Sequence, residues 1–133
     1  MSQQEIFERY IWAGALTRNA HALSDLFTPD GVLEAPLMPP DGAYPARLVG
    51  REAIRAGLEA YYGRPVRDGR SVNPERSGYV LHTTADPDVF IAEIDTVLDG
   101  PDGFTTVSLV QIFRIRDGKL AQVRDYFAPD IVA

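Results

Sequence analysis

The sequence predicts an α+β fold in which helices from the first half of the chain pack on a curved, mostly antiparallel sheet built from the second half. Two observations carry this reading: apolar residues as far as Tyr62 recur at helical spacing, and from Gly78 onward the period changes to two, with turn residues between the runs. A third is size and composition: 133 residues, 45% hydrophobic and 24% charged, suit one hydrophobic core, so 1–133 is read as a single domain.

Over residues 4–16, Ile6, Tyr10, Ala13 and Gly14 share one stripe, with Thr17 a turn later, while Glu5, Glu8 and Arg9 fall mostly elsewhere; this is a first amphipathic helix. A second, short helix runs from an Asn19 cap through His21, Leu23, Leu26 and Phe27, and is stopped by Pro29 and an Asp30-Gly31 turn. Residues 32–35 read as a strand. The stretch 36–47 holds Pro36, Pro39, Pro40, Gly42 and Pro45, a loop stiffened by proline and placed to act as a lid. Residues 50–63 restore helical spacing through Ile54, Leu58 and Tyr61/Tyr62, with Gly63 and Pro65 marking the end. The segment 64–74 is polar and turn-rich. Four β-branched runs follow, at 78–84, 89–98, 104–116 and 119–127, divided by Asp86-Pro87-Asp88, by the turn residues 99–103 and by the two-residue hairpin signal Asp117-Gly118. They form a meander of four antiparallel strands.

Several function classes are excluded on composition. The net charge of −6 and the lack of any Lys/Arg block leave nothing to neutralise a nucleic-acid backbone. Without cysteine there is no disulfide, thiolate nucleophile or zinc-thiolate site. Phosphate-binding glycine loops, the GxSxG elbow and HExxH are all missing, and with only His21 and His82 a metal site would lean on carboxylates, so neither metal nor cofactor is expected. The first ten residues carry Glu5, Glu8 and Arg9, which suits a helix surface rather than a secretion signal, and no window holds eighteen consecutive apolar residues; the cytoplasm is the expected compartment and a membrane is not an expected partner.

The parity of the late strands points to a site. In 89–98 one face carries Val89, Ile91, Glu93, Asp95 and Val97, so two acids share a face with aliphatic neighbours, where a carboxylate is costly unless paired or wet. In 119–127, Asp125 shares a face with Val123 and Phe127; in 104–116, Gln111 interrupts the greasy row Val107, Leu109 and Phe113. These polar groups are expected to converge. Plainer readings stand beside this one: Asp125 as the ion-pair partner of a neighbouring arginine, Glu93 on a solvent face, His82 as a packed or surface histidine, and Tyr10 as a core residue.

The order of elements, together with LFTPDGVLEAP (26–36), VGREAI (49–54) and FRIRDGKLAQVRDYF (113–127), resembles the nuclear transport factor 2-like superfamily, which holds SnoaL-like polyketide cyclases, ketosteroid isomerases and limonene-type epoxide hydrolases. The resemblance spans nearly the whole chain. It implies a conical α+β barrel, the sheet wrapped around three N-terminal helices and an internal cavity, often in a homodimer. Alongside ketosteroid isomerase, Tyr10 in ERYIWAG matches the oxyanion-hole tyrosine, whereas Ala35 occupies the base position, with Glu34 one place earlier, and Gln111 that of the protonated aspartate. Alongside the epoxide hydrolases, RDYF (124–127) puts Asp125 at the general base and Asp95 at the acid, with Glu93 where that family has an arginine.

Residues and resemblance together predict a cofactor-independent acid/base enzyme acting on a small hydrophobic metabolite, by polyketide- or terpenoid-like cyclisation, isomerisation or epoxide opening. Asp125 and Asp95, with Glu93, are expected to share protons in the cavity, one ionised and another kept protonated. Tyr10 and Gln111 would bond a developing oxyanion, and His82, Leu109, Phe113 and Tyr61 would line the substrate. The alternative is a non-catalytic ligand-binding or dimerisation module of the same fold; a third is recognition of a partner protein through the exposed sheet.

Overall fold

The structure, a computed structural model, describes residues 1–64 and 69–129. The chain begins with α1 (Gln3–Ile11), held at its start by a capping box: Ser2 Oγ accepts from the Glu5 N–H at 3.1 Å, and the Glu5 carboxylate accepts from the Ser2 N–H. The predicted helix over 4–16 is not uniform. At Trp12–Leu16 the chain widens into a π-helical turn, closed by the Thr17 N–H donating to the Trp12 carbonyl at 3.0 Å. The short helix α2 (Ala20–Ser24) follows, with Asn19 capping it by accepting from the Ala22 N–H.

Strand β1 (Phe27–Glu34) starts five residues earlier than the sequence suggests. Pro29 and Asp30-Gly31 do not end the preceding element in a turn; they form an irregularity inside the strand, where pairing with the last strand shifts between Phe27 and Val32. Burial explains this: Phe27 is fully buried opposite Leu120, so the strand is fixed at both ends and its breakers bulge between them. A second strand not anticipated from the sequence, β2 (Arg47–Val49), pairs antiparallel with β1 at the end of the proline loop. Helix α3 (Arg51–Tyr62) lies as expected, while its predicted Pro65 stop falls outside the described residues. The turn-rich segment also yields a two-residue strand, β3 (Ser71–Val72).

The expected meander is observed as β4 (Gly78–Thr83), β5 (Val89–Gly100), β6 (Gly103–Arg116) and β7 (Lys119–Tyr126), each antiparallel to the next. At the β6–β7 turn Asp117 and Gly118 take φ of 53° and 77°, the paired left-handed geometry that suits a tight hairpin. The seven strands run β2-β1-β7-β6-β5-β3, with β4 also on β5; β1 and β7 are parallel, and the curved sheet is not closed.

The helices cover one sheet face. Phe90 and Phe113 stack at 4.6 Å between ring centres, and Phe7 and Tyr10 meet Phe113 edge-on at 5.7 and 5.1 Å. Ile54, Leu58, Leu120 and Val123 complete this core. A smaller apolar cluster, Ala35, Met38 and Phe127 with Tyr44 and Leu109, lies under the proline loop. The register then fixes which side chains meet. Ala92, Gln111 and Asp125 are partners across β5, β6 and β7 on the covered face, while Glu93, Val110 and Tyr126 are partners on the outer face.

Candidate functional site

Asp125 is brought beneath the helices by the alternation of β7, which buries Leu120, Val123 and Asp125 in turn. Only 6% of it is exposed. Gln111, its cross-strand neighbour on β6, donates from Nε2 to Asp125 Oδ2 at 3.2 Å. Asp125 Oδ1 and Gln111 Oε1 are both buried and have no partner among the described residues. Two unpaired acceptors side by side in an apolar face are expensive, and the carboxyl responds by resisting ionisation: burial raises it to about 7, against the lowering effect of the Gln111 hydrogen bond.

The charge of this acid reaches three buried phenols, Tyr10, Tyr44 and Tyr62. Tyr10 comes from the last turn of α1, Tyr61 and Tyr62 from the end of α3, and Tyr44 from the proline loop. The loop is held to the sheet by the Ala35 N–H donating to the Ala46 carbonyl at 2.8 Å and by buried Met38, and it carries the Tyr44 ring edge-on to Tyr61 at 4.8 Å and to Phe127 at 5.1 Å. Burial, and after it the negative charge of Asp125, pushes the Tyr10 and Tyr44 hydroxyls well above the ordinary phenol range. Tyr62 is pushed up to about 12, again chiefly by burial, with Arg18 opposing and Asp125 adding to the rise. At neutral pH these hydroxyls are therefore neutral donors. A carboxyl poised near pH 7 beside neutral phenols is suited to moving a proton while an oxygen gains charge.

The predicted site residues divide between the two faces. Asp125, Gln111 and Tyr10 come together on the covered face. Leu109 is half-buried where the two apolar clusters meet, Tyr61 is half-buried against Tyr44, and Phe113 is fully buried in the main core behind the acid. Asp95, Glu93 and His82 do not join them. Glu93 and Asp95 are exposed on the outer face of β5; Asp95 accepts from Ser108 Oγ at 2.6 Å, and Glu93 pairs with His82 across the strands. The expected cluster of three carboxylates is thus corrected to a single buried acid. The reason is parity: the antiparallel register sets Ala92, not Glu93, level with Gln111 and Asp125. Ala35 is buried under the proline loop, and Glu34 faces the other side, where it accepts from Gln122 at 2.7 Å. Tyr44 and Tyr62 were not expected at the site. Tyr44 lies in a loop with no period to assign its direction, and Tyr62 reads only as one more apolar position of a helix.

The sequence profile of the SnoaL-like domain matches residues 7–123. The chain belongs to the SnoaL-like domain family. It is 31% identical over 113 residues to an uncharacterised PhzA/B-like protein of Pseudomonas aeruginosa, a match that takes in 84% of this chain and 74% of the relative. A candidate isomerase from Bacillus subtilis has the same fold, with a TM-score of 0.74, 20% identity and coverage of 97% of this chain and 87% of the other. A candidate polyketide cyclase from Pseudomonas putida superposes with a TM-score of 0.67 at 18% identity, covering 98% and 94%. The SnoaL-like assignment agrees with the resemblance carried by the sequence motifs. Among the described residues, no helix is long and apolar enough to cross a membrane.

Proposed function

We propose that this SnoaL-like chain is a cofactor-independent acid/base enzyme for a small hydrophobic metabolite, with Asp125 as the group that moves the proton. One observation carries the reading: a buried carboxyl, raised to about 7, holds one oxygen on Gln111 and leaves the other without a partner among the described residues. In its ionised form Asp125 takes a proton from carbon next to a carbonyl and, once protonated, returns it to another atom of the same substrate. The electron pair left behind moves onto the carbonyl oxygen, where Tyr10 and the neighbouring phenols donate to it. Nothing is oxidised or reduced. With Asp95 and Glu93 across the sheet, a single acid suits isomerisation or cyclisation through an enolate better than epoxide opening by an acid and base pair.

The test is proton exchange at acidic carbon. In D2O, a panel of cyclic 1,3-dicarbonyl compounds and polyketide-like aromatic ketones should include members whose α-hydrogens exchange faster with the protein than with buffer, followed by NMR. No acceleration across the panel, with ligands still binding, would leave the non-catalytic binding module as the reading.

For the partner, the same proposal extends to a homodimer formed through the outer sheet face. Val80 and Val110 are 57% and 38% exposed there, and beside them a cleft of about 490 Å³ is lined by Glu93, Asp95, Ser108 and Tyr126. Arg114 and Arg124 lie on the same face but level with Val89 and Ile91, at the opposite end from Glu93 and Asp95, and the buried Arg124 Nε lacks a partner among the described residues, so a two-fold copy can set the basic end of one face against the acidic end of the other. Light scattering should give twice the 14.7 kDa chain mass, and Val110→Glu should reduce it to one. A monomer for the unsubstituted protein refutes this part of the proposal alone.

A further inference from the structure

Arg18 ends the π-helical turn with φ of 50°, a left-handed backbone that glycine or asparagine takes up more readily than arginine. The strain delivers its side chain to the end of α3. There the guanidinium donates from Nη2 to the Tyr62 carbonyl at 3.1 Å, and its central carbon lies 5.1 Å from the Tyr62 ring centre and 5.8 Å from that of Tyr61. Three arginines of this acidic chain are paired with carboxylates: Arg55 with Glu52 and Glu59, Arg116 with Asp30, and Arg47 with Glu34. No carboxylate among the described residues reaches Arg18. One N–H is used by Tyr62, and the rest of its planar fork is open on an exposed residue.

A chain of rings links this cation to the acid: Tyr61, beside Arg18, meets Tyr44 edge-on at 4.8 Å, and Tyr44 meets Phe127, two residues from Asp125, at 5.1 Å. Tyr62, also beside Arg18, feels the charge of both groups. A guanidinium without a carboxylate partner among the described residues, resting on two aromatic rings that lead toward a buried acid, has the parts needed to hold an anion on a hydrophobic body. We propose that Arg18 anchors a carboxylate of the substrate, which makes the metabolite a hydrophobic carboxylic acid rather than a neutral terpenoid or ketone; this rests on Asp125 being the reacting centre. A monocarboxylate suits a single fork better than a phosphate, whose second charge would call for further donors.

The experiment compares four acids, benzoate, salicylate, cyclohexanecarboxylate and 1-naphthoate, each with its own carboxamide, in NMR titrations at pH 8. At least one acid should bind about tenfold or more tightly than its carboxamide, and Arg18→Gln should remove that preference while leaving carboxamide binding unchanged. Arg18→Lys, which keeps the charge without the fork, should retain part of it. A merely structural Arg18 would weaken both members of each pair alike. No carboxylate preference in any pair, or the same preference in Arg18→Gln, overturns the proposal. Repeating the titration with Asp125→Asn separates the two readings: a preference that survives there shows the anchor independently of any proton transfer, and an inactive but discriminating protein counts only against Asp125.

Discussion

Replacing Asp125 by Asn should lower α-proton exchange or turnover by about 10²- to 10⁴-fold while leaving the fold intact, because the variant keeps the shape of the buried group and loses its ability to accept a proton. The pH profile gives the second readout. As base, Asp125 works only when ionised, so the rate constant at low substrate should rise with pH, reach half its limit near 7 and level off above it. Residual activity of Asp125→Asn should be flat over the same interval. A profile unchanged by the substitution would remove Asp125 from the chemistry, since no other carboxyl shares its buried face with it across β5 and β6. Tyr10→Phe separates the roles further: it should slow the reaction without moving the midpoint near 7, because the phenol is held protonated throughout.

Much of this arrangement is legible in the sequence, for physical reasons that differ by element. The meander is plain because period-two burial and the Asp117-Gly118 turn agree with each other, and α3 because its apolar stripe runs cleanly between glycines. The inward direction of Gln111 and Asp125 follows from the same alternation. What alternation within one strand does not reveal is register between strands. Glu93 and Asp95 share a face with each other, yet pairing decides that this face is the outer one, and Asp95 ends on Ser108 instead of beside Asp125. The bulge at Pro29 to Gly31 is hidden for a related reason: locally these residues spell a turn, and only the buried pair Phe27 and Leu120 makes them part of a strand. Tyr44 and Arg18 lie in a loop and at a strained helix end, where no periodicity exists to be read.

Holding Asp125 where it can work should destabilise the native state, with a sign that can be worked out. In the unfolded chain the carboxyl titrates near 3.8, and in the folded protein near 7. Below the first value both states are protonated and the group contributes no difference. Between the two, the folded form keeps a proton that the unfolded chain has released, so stability falls as pH rises; above 7 both are ionised and the loss is complete, at about 4 kcal/mol. Asp125→Asn carries no such dependence. By urea unfolding, it should therefore be close to the unsubstituted protein at pH 4 and more stable by about 2–4 kcal/mol at pH 8. Glu5 and Asp30, whose exposed carboxyls are lowered by Ser2 and by Thr28 and Arg116, bend the curve the opposite way at acid pH, but they do so in both proteins and cancel in the difference. Parallel curves for the two proteins would mean that the carboxyl is solvated in the native state, and the argument for a poised base would fail with it. A widening gap, coupled to lost activity in the more stable variant, is what a fold produces when it keeps a strained acid for its chemistry.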